Sequence, residues 1–208
     1  MSHGLFITLE GSEGSGKSTQ IAYIKSYLES KGRKVICVRE PGGTPIAEDI
    51  RKILKTPRSD DNLCDTAELL LMYAARAQLV NTLIKPNLEK GIDVICDRHD
   101  LSTIAYQGGG RGMNMDDINA CRKVVLGDFR PNLTILIDID PVVGMNRAQK
   151  RGALDRFEQS KMDFFVRVRN TYLEYAKEHP NEVKVVSGEQ ALEKVSSDIK
   201  ILLDELHV

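Results

Sequence analysis

The chain has 208 residues, enough for one domain, and with 41% hydrophobic residues it can bury a core without crosslinks or a structural metal. Its 29 basic and 30 acidic residues nearly cancel; this excludes an overall field that draws nucleic acid or an anionic membrane, so any anion site has to be local. Cys37, Cys64, Cys96 and Cys121 form no CxxC pair and read as reduced core residues of a cytoplasmic protein, while no segment approaches the ~18 apolar residues of a membrane span or resembles an export signal.

In chain order, the first apolar run, Leu5–Glu10, reads as a strand, and Gly11-Ser12-Glu13-Gly14-Ser15-Gly16-Lys17-Ser18 follows it directly. That segment fills the G-x-x-x-x-G-K-[ST] pattern between a strand and a helix, where backbone N–H groups can turn around phosphate oxygens. Lys17 reaches the β and γ oxygens and Ser18 can ligate Mg²⁺. Lys31-Gly32 ends the helix, and a second run, Val35–Arg39, leads into Arg39-Glu40-Pro41-Gly42-Gly43-Thr44. Residues 55–63, with Pro57, read as a surface loop; Asp65-x-x-Glu68 reads as a capping box opening a long helix with an apolar face near Leu69–Leu83.

Lys90-Gly91 closes that helix before the third run, Asp93–Asp97. The fourth, Leu133–Ile139, runs into Asp140-Pro141, an N-cap followed by proline at the first helical position. Around Arg147–Arg156 lies an arginine-rich connection containing Gly152, and the last run, Val183–Ser187, is followed by Ser187-x-x-Gln190 as a second capping box. Five strands rich in β-branched residues and separated by helices predict a parallel sheet covered on both faces, with ligands at the carboxyl ends of the strands. Glu10, Arg39-Glu40 and Asp97-Arg98 stand at that edge. No internal repeat or linker divides the chain, so it reads as one domain, 1–208.

A phosphate cradle also serves switches and motors. No Asn-Lys-x-Asp segment for guanine is present, which favours a kinase. Asp97 at a strand end can hold Mg²⁺ or its waters, and the adjacent Arg98 suits a bidentate phosphate clamp, unless the two form a structural ion pair. Arg39 and Arg51 are further candidates for an acceptor phosphate; Arg51 also reads as a solvated charge on a helix.

Taken together, Glu13 inside the loop, Arg39 to Thr44, Tyr73-Ala74-Ala75-Arg76, Asp97-Arg98-His99 with Ser102-Thr103, and Tyr106-Gln107-Gly108-Gly109-Gly110-Arg111 resemble the ordered motifs of bacterial thymidylate kinases from about Leu5 to Tyr175. The resemblance implies a P-loop NTPase fold, a three-layer α/β/α sandwich of the nucleoside monophosphate kinase type with a five-stranded parallel sheet. It also implies a lid at about 147–158, a homodimer through the long helix, Mg²⁺, and transfer of the ATP γ-phosphoryl to dTMP. The donor would lie on Gly11, Ser12, Glu13, Gly14, Ser15, Gly16, Lys17, Ser18 and Thr19, with Arg147 at the adenine.

On the acceptor side the resemblance gives Glu13 the 3′-hydroxyl, Tyr106 the 2′ position, Arg76 thymine O4 and Thr103 the base N3, with Gln107 also in the acceptor site. Arg76 as a surface residue and Thr103 as a helix cap are the plain alternatives. Many relatives carry phenylalanine where this chain has Met72, which is a stacking thioether or core. The resemblance implies a transition-state arginine either in the loop or in the lid; the loop has none at its variable positions, so the expectation falls on the lid, at Arg151, with Arg156 held by local carboxylates. The catalytic set is then Lys17, Asp97, Arg98 and Arg151, and the metal set Ser18 and Asp97. Two other readings remain open: a kinase for another pyrimidine deoxynucleotide, and an ATPase switch without an acceptor.

Overall fold

The five apolar runs become five strands in a computed structural model that describes residues 3–150 and 152–206. They are β1 (Phe6–Glu10), β2 (Val35–Arg39), β3 (Asp93–Asp97), β4 (Leu133–Asp138) and β5 (Val183–Ser187). All pair in parallel in the order β2-β3-β1-β4-β5. Each connection is helical: α1 (Lys17–Ser30), α2 (Pro45–Lys55), α3 (Asp65–Leu79), α4 (Lys85–Glu89), α5 (Asp100–Thr103), α6 (Met115–Leu126), α7 (Pro141–Gln149), α8 (Met162–Glu178) and α9 (Leu192–Asp204). Side chains alternate across the sheet. Ile7, Leu9, Ile95 and Ile135 pack with Ile24, Leu28, Ile199 and Leu203 of α1 and α9. Phe6, Val94 and Cys96 face Leu79, Val80 and Leu88 on the opposite side. Helices therefore cover both faces, as the apolar strands require.

Register places the charged strand ends together: Leu9 and Arg39 both lie opposite Asp97, and Glu10 lies opposite Leu136. β1 sits between β3 and β4, and the crevice at its carboxyl end is the topological switch point where ligands of such sheets bind.

Several local expectations hold. Asp140 caps α7 by accepting from Val142 and Val143 N–H, and Pro141 is its first residue. Thr44 caps α2 in the same way through Ala47. Others need correction. The N-cap of α3 is Cys64, and no side chain caps it, because Glu68 turns inward and is fully buried. Likewise α9 starts after Ala191, with Gln190 donating to the Ser187 carbonyl instead of closing a box. Of the four free cysteines only Cys96 is buried; Cys37 and Cys64 are exposed and Cys121 is half-buried. Finally, α3 and α5 each run on into a π-helical turn, Val80–Ile84 and Ile104–Gly110, which helical periodicity does not reveal.

Candidate active site

The loop after β1 wraps around the ammonium of Lys17, which donates to the carbonyls of Gly11 (3.0 Å) and Ser12 (2.9 Å) and weakly to Ser15 Oγ (3.4 Å). Burial, and then the nearby Arg98 cation, push this lysine down to about 8. Gly16, at φ 95°, lets the chain enter α1, whose N-terminus carries Ser18 and Thr19 into the same cavity. Gly14 meets Gly144 of α7 backbone to backbone: a Cβ on Gly14 would lie 2.2 Å from the Gly144 carbonyl oxygen. Gly11 and Ser12 do not border the cavity; they support Lys17 from behind.

At the end of β3, Asp97 borders the cavity with its Oδ1 buried and unpartnered. Arg98 adopts φ 69°, a left-handed conformation costly for a side chain with a Cβ. Its partners hold it there: Nη2 donates to Glu13 Oε1 (2.9 Å), Nη1 approaches Ser102 and Tyr172 hydroxyls (both 3.3 Å), and the guanidinium stacks 4.8 Å over the Tyr106 ring. No Asp97–Arg98 ion pair forms among the described residues; the arginine's carboxylate is Glu13, which also accepts from Tyr106 OH at 2.6 Å. Beneath them Glu10, fully buried, accepts from His99 N–H (2.8 Å), Ser102 Oγ (2.5 Å) and Tyr172 OH (3.2 Å). Burial raises its pKa despite these bonds.

On the opposite wall two more cations converge. Arg39 forks onto Glu48 (3.0 and 3.2 Å), and Arg51 donates to the Pro41 carbonyl at 2.6 Å. Arg51 is half-buried, so it is not a solvated surface charge, and burial followed by the Arg39 charge lowers its pKa.

The inner end is lined by Met72, Arg76, Thr103, Tyr106 and Gln107. Arg76 is buried, not a surface residue: Nε donates to Glu40 (2.7 Å), Nη1 to Asp100 (3.3 Å), and Nη2 to His99 O (3.0 Å) and Thr103 Oγ1 (2.9 Å). Four of its five N–H groups are thereby taken, leaving one on Nη1. Gln107, in the π-helical turn, donates to Glu68 at 2.6 Å. Met72 packs on the adjacent apolar cluster.

From the lid side, Arg147 donates to the Gly14 carbonyl at 3.3 Å. Lys55 at the end of α2 pairs with Asp155 at 2.6 Å, and Arg156 lies 2.7 Å from Glu68 in an ion contact. The carboxylate holding Arg156 thus comes from α3, not from the lid. Arg151 lies outside the described residues.

All of this surrounds one cavity of about 610 Å³. Among the described residues, every predicted site residue except Gly11 and Ser12 borders it. Glu10, Glu40, Glu68, Asp100 and Tyr172, which hold those side chains in place, were not predicted as site residues. Glu10 and Glu40 stood visibly at strand ends; Tyr172 carried no signal.

A P-loop on one wall of this cavity and converging arginines on the other, at the switch point of a five-stranded parallel sheet, define a phosphotransferase of the nucleoside monophosphate kinase type. The thymidylate kinase family model matches residues 9–199. The chain is 49% identical over 199 residues to a thymidylate kinase of Hahella chejuensis, spanning 96% of this chain and 95% of that one. It is 50% identical over 198 residues to another of Pseudoalteromonas translucida, spanning 95% and 94%. A crystal structure of thymidylate kinase from Ehrlichia chaffeensis superimposes with a TM-score of 0.78 at 32% identity, over 97% of this chain and 99% of that chain. The chain belongs to the thymidylate kinase family.

Proposed function

We propose that this chain transfers the γ-phosphoryl of ATP to dTMP, giving dTDP and ADP. The observation carrying this reading is that one cavity joins a phosphate cradle at Lys17, a cation group of Arg39, Arg51 and Arg98, and a base-sized end lined by Arg76 and Gln107. A switch ATPase has no use for the second and third. The acceptor phosphate is itself the nucleophile: phosphate monoesters have a second pKa of ~6, so near neutral pH no general base is needed. Positioning and charge stabilisation supply the rate.

Lys17 leaves its carbonyls for the β and γ oxygens, and Arg98 spans the transferring and acceptor phosphates. Glu13, held by Arg98 and Tyr106, keeps lone pairs for the sugar 3′-hydroxyl; Tyr106 crowds the 2′ position. Arg39 and Arg51 take the acceptor phosphate. At the base, the remaining Arg76 N–H reads O4, Met72 lies against the ring, and Gln107 and Thr103 face its edge.

The unpartnered buried oxygen of Asp97 and the exposed hydroxyl of Ser18 fit Mg²⁺. Among the described residues no cluster of three metal-ligating side chains occurs, so Asp97 and Ser18 are the side chains that would hold the cation. Mg²⁺ would neutralise charge between the β and γ oxygens.

With no arginine in the loop, the lid at about 147–158 supplies the transition-state cation from Arg151, and Arg147 meets the adenine. Exposed Leu70 on α3, with Ile46 and Ile53 on α2, supports a homodimer of single-domain chains. No helix among the described residues is long and apolar enough to cross a membrane; the proposed setting is cytoplasmic.

The test is ADP release with Mg·ATP and dTMP, dUMP, dCMP, UMP, AMP or no acceptor. Release dependent on dTMP, with an equal yield of dTDP, is expected. Release indifferent to every acceptor overturns the reading in favour of a switch.

A further inference from the structure

Arg98 stands at φ 69°, in the left-handed region, on the turn that leaves β3. The peptide groups on either side of it are both held by β1: Arg98 N–H donates to the Leu9 carbonyl at 2.9 Å, and His99 N–H to Glu10 Oε1 at 2.8 Å. The first acceptor is backbone, which any residue at position 9 supplies; the second is the Glu10 side chain. The other carboxylate oxygen, Oε2, takes Ser102 Oγ at 2.5 Å and Tyr172 OH at 3.2 Å, and these two hydroxyl oxygens lie 2.7 Å apart. An ionised carboxylate only accepts, and each hydroxyl has one proton. Ser102 directs its proton to Glu10, so Tyr172 donates either to Glu10 or to Ser102. Lone pairs of both hydroxyls therefore face Arg98 Nη1, which lies 3.3 Å from each. Nη2 is on Glu13. Arg98, Glu13 and Ser102 border the cavity of the phosphate cradle, whereas Glu10 and Tyr172 stand one layer behind it.

We propose that Glu10 is a positioning residue for phosphoryl transfer: it sets both the backbone turn and the hydrogen-bond direction that aim the Arg98 guanidinium at the phosphates. The role needs two accepting oxygens, so an amide of the same shape does not replace the carboxylate. In Glu10→Gln, an NH₂ group facing the hydroxyls leaves a hydroxyl proton on the side of the Arg98 cation. Turned over, the amide sets its NH₂ group against His99 N–H. Either way like groups meet in a buried place, and the arginine shifts. This inference rests on the reading of Arg98 as a phosphate clamp in a dTMP kinase.

The experiment is a double-mutant cycle: kcat and KM per folded enzyme for wild type, Glu10→Gln, Arg98→Lys and the double variant. Wild-type turnover tests the acceptor reading by itself. If another nucleotide is the acceptor, that reading fails and the cycle is run with that nucleotide; phosphoryl transfer to no acceptor overturns both. In Glu10→Gln kcat should fall ~100-fold, the scale of a misaligned group, with KM for dTMP and ATP within about threefold of wild type. Because Glu10 acts through Arg98, the double variant should be within about twofold of Arg98→Lys alone. A merely structural role would instead make the two losses multiply. That result, or a Glu10→Gln kcat within about threefold of wild type, overturns the proposal.

If Glu10→Gln does not fold, Tyr172→Phe decides. It keeps the Ser102 and His99 bonds to Glu10 and removes one of the two hydroxyls that orient Arg98 Nη1. Its kcat should fall about tenfold, the worth of one hydrogen bond to a charged group, with no further loss in the Arg98→Lys background. An unchanged kcat in Tyr172→Phe, or a loss that multiplies with that of Arg98→Lys, overturns the proposal.

Discussion

Replacing Arg76 with methionine separates what this residue does for the fold from what it does for the base. The side chain is 2% exposed and pairs with Glu40 at 2.7 Å and Asp100 at 3.3 Å. Removing one member of a buried ion pair costs ~3–5 kcal/mol, chiefly through the charge left behind. Here each acid keeps another partner, Glu40 with His99 at 2.8 Å and Asp100 with Arg122 at 2.5 Å. The lower figure applies, and for a domain of this size ~3 kcal/mol lowers Tm by ~6–12 °C.

The pH dependence has a definite sign. Burial pushes the Glu40 carboxyl up, but Arg76 and His99 outweigh it, so its folded pKa lies below the ordinary 4.5. A depressed carboxylate contributes stability that is present above 4.5 and lost as pH falls through the folded value. Without Arg76, burial dominates and the folded pKa rises above 4.5, so the carboxylate becomes a penalty that protonation relieves. Urea unfolding should therefore show Arg76→Met ~3 kcal/mol less stable at pH 7.5, with the gap narrowing by pH 5. Adding Glu40→Gln should restore part of the stability and none of the dTMP turnover. A loss under ~1 kcal/mol, or a gap unchanged between pH 7.5 and 5, refutes the reasoning.

The remaining predictions concern the phosphate end. Lys17, pushed down to about 8, loses its proton in the free enzyme above that pH; kcat/KM for ATP should fall from about pH 8 upward, while kcat at saturation declines only at higher pH, because bound phosphates restore the charge. Asp97→Asn relieves a buried oxygen that has no partner, so thermal melting should be unchanged or higher while kcat falls ~100-fold or more, the direction expected of a functional rather than a stabilising group. Gly144→Ala is conformationally easy on α7, but its Cβ would lie 2.4 Å from the Glu13 carbonyl oxygen; we expect ~1–3 kcal/mol of destabilisation from overpacking and a raised KM for ATP. If the variant binds ATP normally, the loop does not depend on α7.

Legibility followed distance along the chain. Gly11–Ser18 is one contiguous device whose function depends on its own backbone, and the strands announced themselves as apolar runs. Glu68 shows the opposite case. Three residues after Asp65, it matches a capping box, but in the fold its carboxylate is the common acceptor for Gln107, Arg111 and Arg156. Arg51 and Arg76 left surface alternatives open because a helix writes its buried and exposed arginines alike; the packing of α2 on α3, with the partners at Pro41, Glu40 and Asp100, decided them. The turn at Ile104–Gly110 has no periodic signal, yet it presents Tyr106 and Gln107 to the cavity.

By itself the sequence determined the phosphate cradle, the parallel sheet and the charged edge on which the site stands, since these depend on groups adjacent in the chain and on short continuous apolar runs buried on both faces. Only the tertiary structure decided which buried acid holds which arginine, how the Gln107 amide is turned, and that α7 presses its backbone against the loop. Those depend on strand order and helix packing, which bring together atoms from segments that no local pattern relates.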